Sequence, residues 1–169
     1  LTGDFVLGLI LNIASRINNP RVTKNLATTA MMMSEGEVLE GRLETSEDVT
    51  FDDYLKVIEY KTATAFETAS RLGGIISGGN EEQIEYLADY GKNIGIAYQI
   101  RDDLHDWQNE DKLFNFLIKK SPDPRVIFNR MEELMKNYSD RALLSIRKIS
   151  DCEAKNNLEN LVMFTRTTV

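Results

Sequence analysis

Tyr98-Gln99-Ile100-Arg101-Asp102-Asp103-Leu104-His105-Asp106-Trp107 decides how the rest of this chain is read. It sets three carboxylates in the order D-D-x-x-D. The flanking residues read as helix, so the stretch goes on a wheel. With Asp102 at zero, Asp106 falls at about 40°, Gln99 at about 60° and Asp103 at about 100°. The three acids and the amide share a face, and Arg101 and His105 point away from it. Crowded carboxylates repel one another and are hard to keep ionised; a divalent cation removes that cost. Hard oxygen donors suit Mg²⁺, which takes one or two carboxylates and completes its shell with water and phosphate. A solvated acidic patch is the plain alternative. The approach to the motif, Ile94-Gly95-Ile96-Ala97-Tyr98, is apolar and suits a helix packed inside a bundle. Buried acids need partners, which favours a site.

Composition narrows the function further. The 169 residues suffice for one helical domain with a real core, expected over 1–169. A formal net charge of -7 argues against nucleic acid and against docking on anionic lipid. The single cysteine, Cys152, rules out a disulfide framework and points to a reducing, cytoplasmic setting. No apolar run approaches the roughly 18 residues that a membrane span needs. The lone histidine, His105, excludes a carboxylate-bridged di-iron site, which would require Glu-x-x-His pairs.

Periodicity predicts an all-α bundle. Phe5, Leu9 and Ile13 mark a helix over 3–17, stopped by Asn18-Asn19-Pro20. A second helix runs over 21–43, with Met31-Met32-Met33 as adaptable core filler. Thr50, followed by Asp52 and Asp53, caps a long helix that carries Leu55, Ile58, Phe66 and Leu72. Gly73-Gly74 and Gly78-Gly79 allow close packing and then termination. Asn80 caps the helix that ends in the acid cluster, whose inner face is read as Ile84, Leu87, Ala88, Gly91, Ile94, Gly95 and Tyr98. Pro122 and Pro124 break the chain, and terminal helices are expected near 125–137, 139–150 and 152–165.

Three segments carry a resemblance. Ile94 to Asp106 resembles the second aspartate-rich motif of the trans-polyprenyl diphosphate synthases. Tyr54-Leu55-Lys56-Val57-Ile58-Glu59-Tyr60-Lys61-Thr62-Ala63-Thr64-Ala65-Phe66 is similar to that family's Y-L-x-x-I-x-x-K-T-A-x-L-F segment. Gly3-Asp4-Phe5 is similar to the G-D-x-L start of an inner helix. The three stand in family order. The resemblance implies the C-terminal part of an isoprenoid-synthase fold. The implied activity is the Mg²⁺-dependent condensation of an allylic prenyl diphosphate with isopentenyl diphosphate. It makes Asp102 the primary metal ligand, supported by Asp103 and Asp106, and gives Lys61, Thr62 and Gln99 the diphosphate.

In the same likeness, Gly36-Glu37 stands where the family has Gly-Gln facing the allylic substrate, Glu40 lies at a position near the metals, and Lys112 stands in for a lysine of the glycine-rich flap. The first aspartate-rich motif and the Gly-Lys-x-x-Arg-Pro segment do not occur in this sequence. The resemblance therefore covers the second half of the fold, which by itself would leave one wall of the bundle open and apolar. A homodimer or heteromer is expected. The competing readings are a non-catalytic partner subunit of such an enzyme and a plain helical interaction module.

Overall fold

The computed structural model describes residues 1–46, 48–107 and 113–166. Among the described residues it contains only helices. They are α1 (Thr2–Ser15), α2 (Pro20–Leu43), α3 (Phe51–Ile58), a π-helical segment (Glu59–Ala63), α4 (Thr64–Ile76), α5 (Glu81–His105), α6 (Leu113–Lys120), α7 (Pro124–Ile146) and α8 (Glu153–Thr165). None is long and apolar enough to cross a membrane.

Local chemistry sets the helix starts. Asn19 accepts a hydrogen bond from the Arg21 amide and Pro20 occupies the first turn of α2, where its missing N–H costs nothing. Thr50 and Asp53 form a reciprocal capping box on α3, and Asn80 and Gln83 form another on α5. Asp123 caps α7 through the Arg125 amide, so Pro124 opens that helix. Gly78, with φ of +75°, ends the turn after α4 in the left-handed region that favours glycine.

Helix α5 is the axis of the bundle, packed most extensively against α4 and α7. Gly91 and Gly95 make the α4 contact possible. A Cβ on Gly91 would stand 2.8 Å from Glu67 Cα, and one on Gly95 would stand 2.7 Å from Ala63 Cα. The largest apolar cluster joins Tyr54, Val57, Ile58, Ala97, Ile100, Phe114 and Met131. A second gathers Tyr90, Ile94, Ala142, Ile146 and Val162, and a third Val22, Ile75 and Ile84.

Four expectations need correction. Tyr98 is partly exposed, while Tyr90, Ile96, Ala97 and Ile100 are buried. Because α5 is enclosed from several sides, one stripe does not describe it. Met31 and Met33 are exposed rather than core. The helices expected at 125–137 and 139–150 are one helix. Ser139 turns its hydroxyl back to the Met135 carbonyl at 2.8 Å and so caps nothing. Helix α6 occupies a stretch that sequence reading left between the acid motif and the prolines.

Helix α1 exposes an apolar surface. Phe5, Leu9 and Ile13 are exposed, as are Val6, Leu7, Ile10 and Leu11, and Ala14 is the buried residue of α1.

Candidate diphosphate and metal site

The chain does not run through the Tyr54–Phe66 segment as one regular helix. At Glu59–Ala63 the hydrogen bonding widens to π-helical, and the Thr64 amide donates to the Glu59 carbonyl five residues back. The Thr64 hydroxyl donates to the same carbonyl at 2.9 Å. Within this turn two neighbours face different helices. Lys61 reaches toward α2, where Glu37 lies 3.2 Å from its ammonium and Glu40 closer still. Thr62 turns toward α5 and donates to Gln99 Oε1 at 2.8 Å. Gly36 permits the approach of α2, since a Cβ there would lie 2.8 Å from Lys61 Cγ.

From Gln99 the network continues into the acid motif. Gln99 Nε2 donates to Asp103 Oδ1 at 3.1 Å, and the Tyr54 hydroxyl donates to Asp103 Oδ2 at 2.6 Å. Asp103 and Tyr54 are both buried, at 5% and 1% exposure. Burial, and then the adjacent Asp103 carboxylate, hold the Tyr54 phenol well above the usual tyrosine pKa. It stays protonated and can only donate to Asp103. That direction fixes the amide of Gln99, whose nitrogen faces the carboxylate and whose oxygen faces Thr62. Burial also works against the Lys61 ammonium, but hydrogen bonds and charge from Glu40 and Glu37 outweigh it. The Lys61 pKa stands above its ordinary value, so it is a cation at neutral pH.

These groups line a cavity of about 260 Å³, walled by Glu40, Tyr54, Lys61, Thr62, Gln99 and Asp103, with Val57, Ile58, Leu113 and Phe114 as its apolar side. A fixed cation beside hydroxyl and amide groups, closed by apolar side chains, is suited to a phosphorylated ligand.

The acid motif divides. Asp103 belongs to the cavity. Asp102 is half-buried, and Asp106 is exposed at the end of α5, where its backbone has left the helical conformation. Among the described residues no three His, Cys, Asp or Glu side chains gather closely enough to hold a metal ion by themselves. The donor set still fits Mg²⁺, which needs only one or two carboxylates beside water and phosphate oxygens. The acids also sit at the C-terminal, negative end of a 25-residue helix, which favours a cation there. Lys112 lies outside the described residues. Glu37 and Glu40 are brought in, as partners of Lys61.

Tyr54 is the site residue that sequence reasoning passed over. Its signal was a tyrosine on the apolar face of α3, since a buried phenol must find an acceptor.

A family model described as polyprenyl synthetase matches residues 1–115. The octaprenyl diphosphate synthase of Escherichia coli is 34% identical over 107 residues, covering 63% of this chain and 33% of the relative. The nonaprenyl diphosphate synthase of Mycobacterium tuberculosis is 37% identical over 111 residues, 65% of this chain and 32% of the relative. Among solved structures, a decaprenyl diphosphate synthase from Rhodobacter capsulatus aligns with a TM-score of 0.78 at 28% identity, covering 90% of this chain and 60% of that one. A polyprenyl synthase from Caulobacter crescentus, complexed with calcium and isoprenyl diphosphate, aligns at 0.83 with 24% identity, over 98% of this chain and 64% of that one. The chain spans about a third of the length of these curated relatives. With the matched residues running from α1 through the acid motif, the chain belongs to the polyprenyl synthetase family.

Proposed function

We propose that this chain supplies the diphosphate-holding wall of a trans-prenyltransferase that joins an allylic prenyl diphosphate to isopentenyl diphosphate. The observation that carries the reading is the hydrogen-bonded chain from Thr62 through Gln99 to Asp103 and Tyr54, which lines one cavity together with the Lys61 ammonium. Lys61 is the cation for diphosphate oxygens and exchanges part of its pairing with Glu37 and Glu40 for the ligand. Thr62 and Gln99 orient those oxygens, and Asp103 with Tyr54 holds Gln99 in position. Asp102 and Asp106 would hold Mg²⁺, with Asp103 contributing directly or through water. When bound, the ion neutralises charge on the diphosphate. The calcium and isoprenyl diphosphate of the Caulobacter crescentus relative support a divalent cation paired with this class of ligand. The apolar wall at α1 supports assembly with further family structure, in a homodimer or heteromer.

The engagement of Lys61 by two carboxylates favours a second reading, in which the chain is a partner subunit that binds diphosphate without turning it over. Turnover of geranyl with isopentenyl diphosphate separates the two.

The test is thermal stabilisation by inorganic pyrophosphate, with and without Mg²⁺. A ligand that binds only the folded chain at about 100 times its Kd adds about 2.7 kcal/mol. The expected result is stabilisation that requires Mg²⁺ and is lost in Lys61→Met and in Asp102→Ala. Equal stabilisation with and without Mg²⁺ refutes the metal assignment, and none in either condition refutes the site.

A further inference from the structure

The π-helical segment presents Lys61 and Thr62 to the cavity, and its first residue, Glu59, looks the other way. Glu59 Oε1 accepts a hydrogen bond from Lys92 Nζ on α5 at 2.6 Å. The pair lines a separate cavity with Asp89 and Arg141, and shares no lining residue with the one that holds Lys61. Lys92 lies between Gly91, which packs closely on Glu67 of α4, and Gly95, which packs closely on Ala63. Gly95 abuts Ala63, the last residue of the π segment. Helix α5 therefore grips the segment at both ends, by charge at Glu59 and by close packing at Ala63. The Thr64 hydroxyl pins the Glu59 carbonyl between them.

We propose that Lys92 and Glu59 form a positioning clamp, acting from the far side of the bundle, that holds the π turn so that Lys61 and Thr62 face the cavity. The role at the cavity rests on the diphosphate reading; the clamp on the turn does not. A partly exposed ion pair adds little to global stability. A π turn, however, competes with the regular helix that the same residues could form. A tether at its first residue acts on that local choice. Neither Lys92 nor Glu59 lines the Lys61 cavity, so their effect on it must pass through the backbone of the segment.

The experiment has two readouts on the full chain: the affinity for inorganic pyrophosphate with Mg²⁺, and amide hydrogen exchange over Lys61–Thr64 without ligand. Glu59→Gln and Lys92→Met are each expected to weaken pyrophosphate binding by about 3- to 10-fold. Exchange over Lys61–Thr64 should accelerate while Met131–Met135 of α7 is unchanged. Lys92→Arg, which keeps the cation, and the swapped pair Glu59→Lys with Lys92→Glu should restore both readouts. A merely structural contribution would change exchange in α7 as well and would not be rescued by the swap. Unchanged exchange over Lys61–Thr64 in both single variants overturns the clamp, whatever the binding. Pyrophosphate binding unchanged in both overturns the positioning role. Accelerated exchange, in a chain that binds no pyrophosphate, upholds the clamp and overturns the diphosphate reading.

Discussion

Tyr54→Phe removes one oxygen from a buried network and leaves the ring packing in place. The lost bond runs from a phenol to a carboxylate at 2.6 Å, with both residues almost fully buried. Hydrogen bonds to charged groups contribute about 1.5–3 kcal/mol net, so the variant should be less stable by that amount at pH 8. The pH dependence gives a second, independent number. The folded-state pKa of Tyr54 is raised well above 10.0, its ordinary value. A raised folded-state pKa means the contribution is fully present below pH 10 and is lost as pH rises, because the unfolded phenol ionises first. For one group this loss at pH 11 is about 1.4 kcal/mol. Phenylalanine cannot ionise, so the gap between the two proteins should narrow by that amount between pH 8 and pH 11. Urea unfolding at both pH values, read as a midpoint change at constant m, measures it. A stability gap under 0.5 kcal/mol at pH 8, or one that stays constant up to pH 11, would show that Tyr54 does not hold Asp103 as described.

Two further perturbations test the frame around the site. Gly91→Ala should destabilise by about 1–3 kcal/mol, because the new methyl meets the Glu67 backbone at 2.8 Å and Ser70 Oγ at 2.6 Å. The control is Gly73→Ala, exposed in α4 with nothing within 4 Å, which should stabilise by about 0.5–1 kcal/mol in the same thermal melts. Asn80→Ala breaks the capping box at the start of α5 and should cost about 1 kcal/mol in urea unfolding, with Asn80→Asp costing less because it still accepts from the Gln83 amide.

The parts of the fold that were legible in the sequence are those decided within a few residues. Thr50 and Asn80 cap helices because each side chain satisfies an amide three positions on, and both partners stand in the local text. Where a neighbour from elsewhere decides, the text is silent. The wheel placed Asp103 on one face with its fellow acids. It could not show that α3 would bring Tyr54 against that edge of α5, which draws Asp103 into the cavity and leaves Asp106 exposed. Met31-Met32-Met33 failed likewise, since apolar composition does not say which turn faces a partner.

The π segment is the sharpest case, and it is the one on which the site depends. Glu59-Tyr60-Lys61-Thr62-Ala63 holds no proline and no glycine that would break a regular helix. What accompanies the widening comes mostly from outside the segment. Gly36 admits α2 against Lys61, Gly95 admits α5 against Ala63, Lys92 ties Glu59, and Thr64 takes the shared carbonyl. In a regular α-helix Lys61 and Thr62 would lie about 100° apart, as adjacent residues must. Here they serve two different helices, Lys61 pairing with α2 and Thr62 bonding to Gln99. The motif's lysine and threonine are thus visible in sequence as letters. Their joint presentation to one cavity is a property of the packing, carried by glycines and by Lys92, all far from them in the chain.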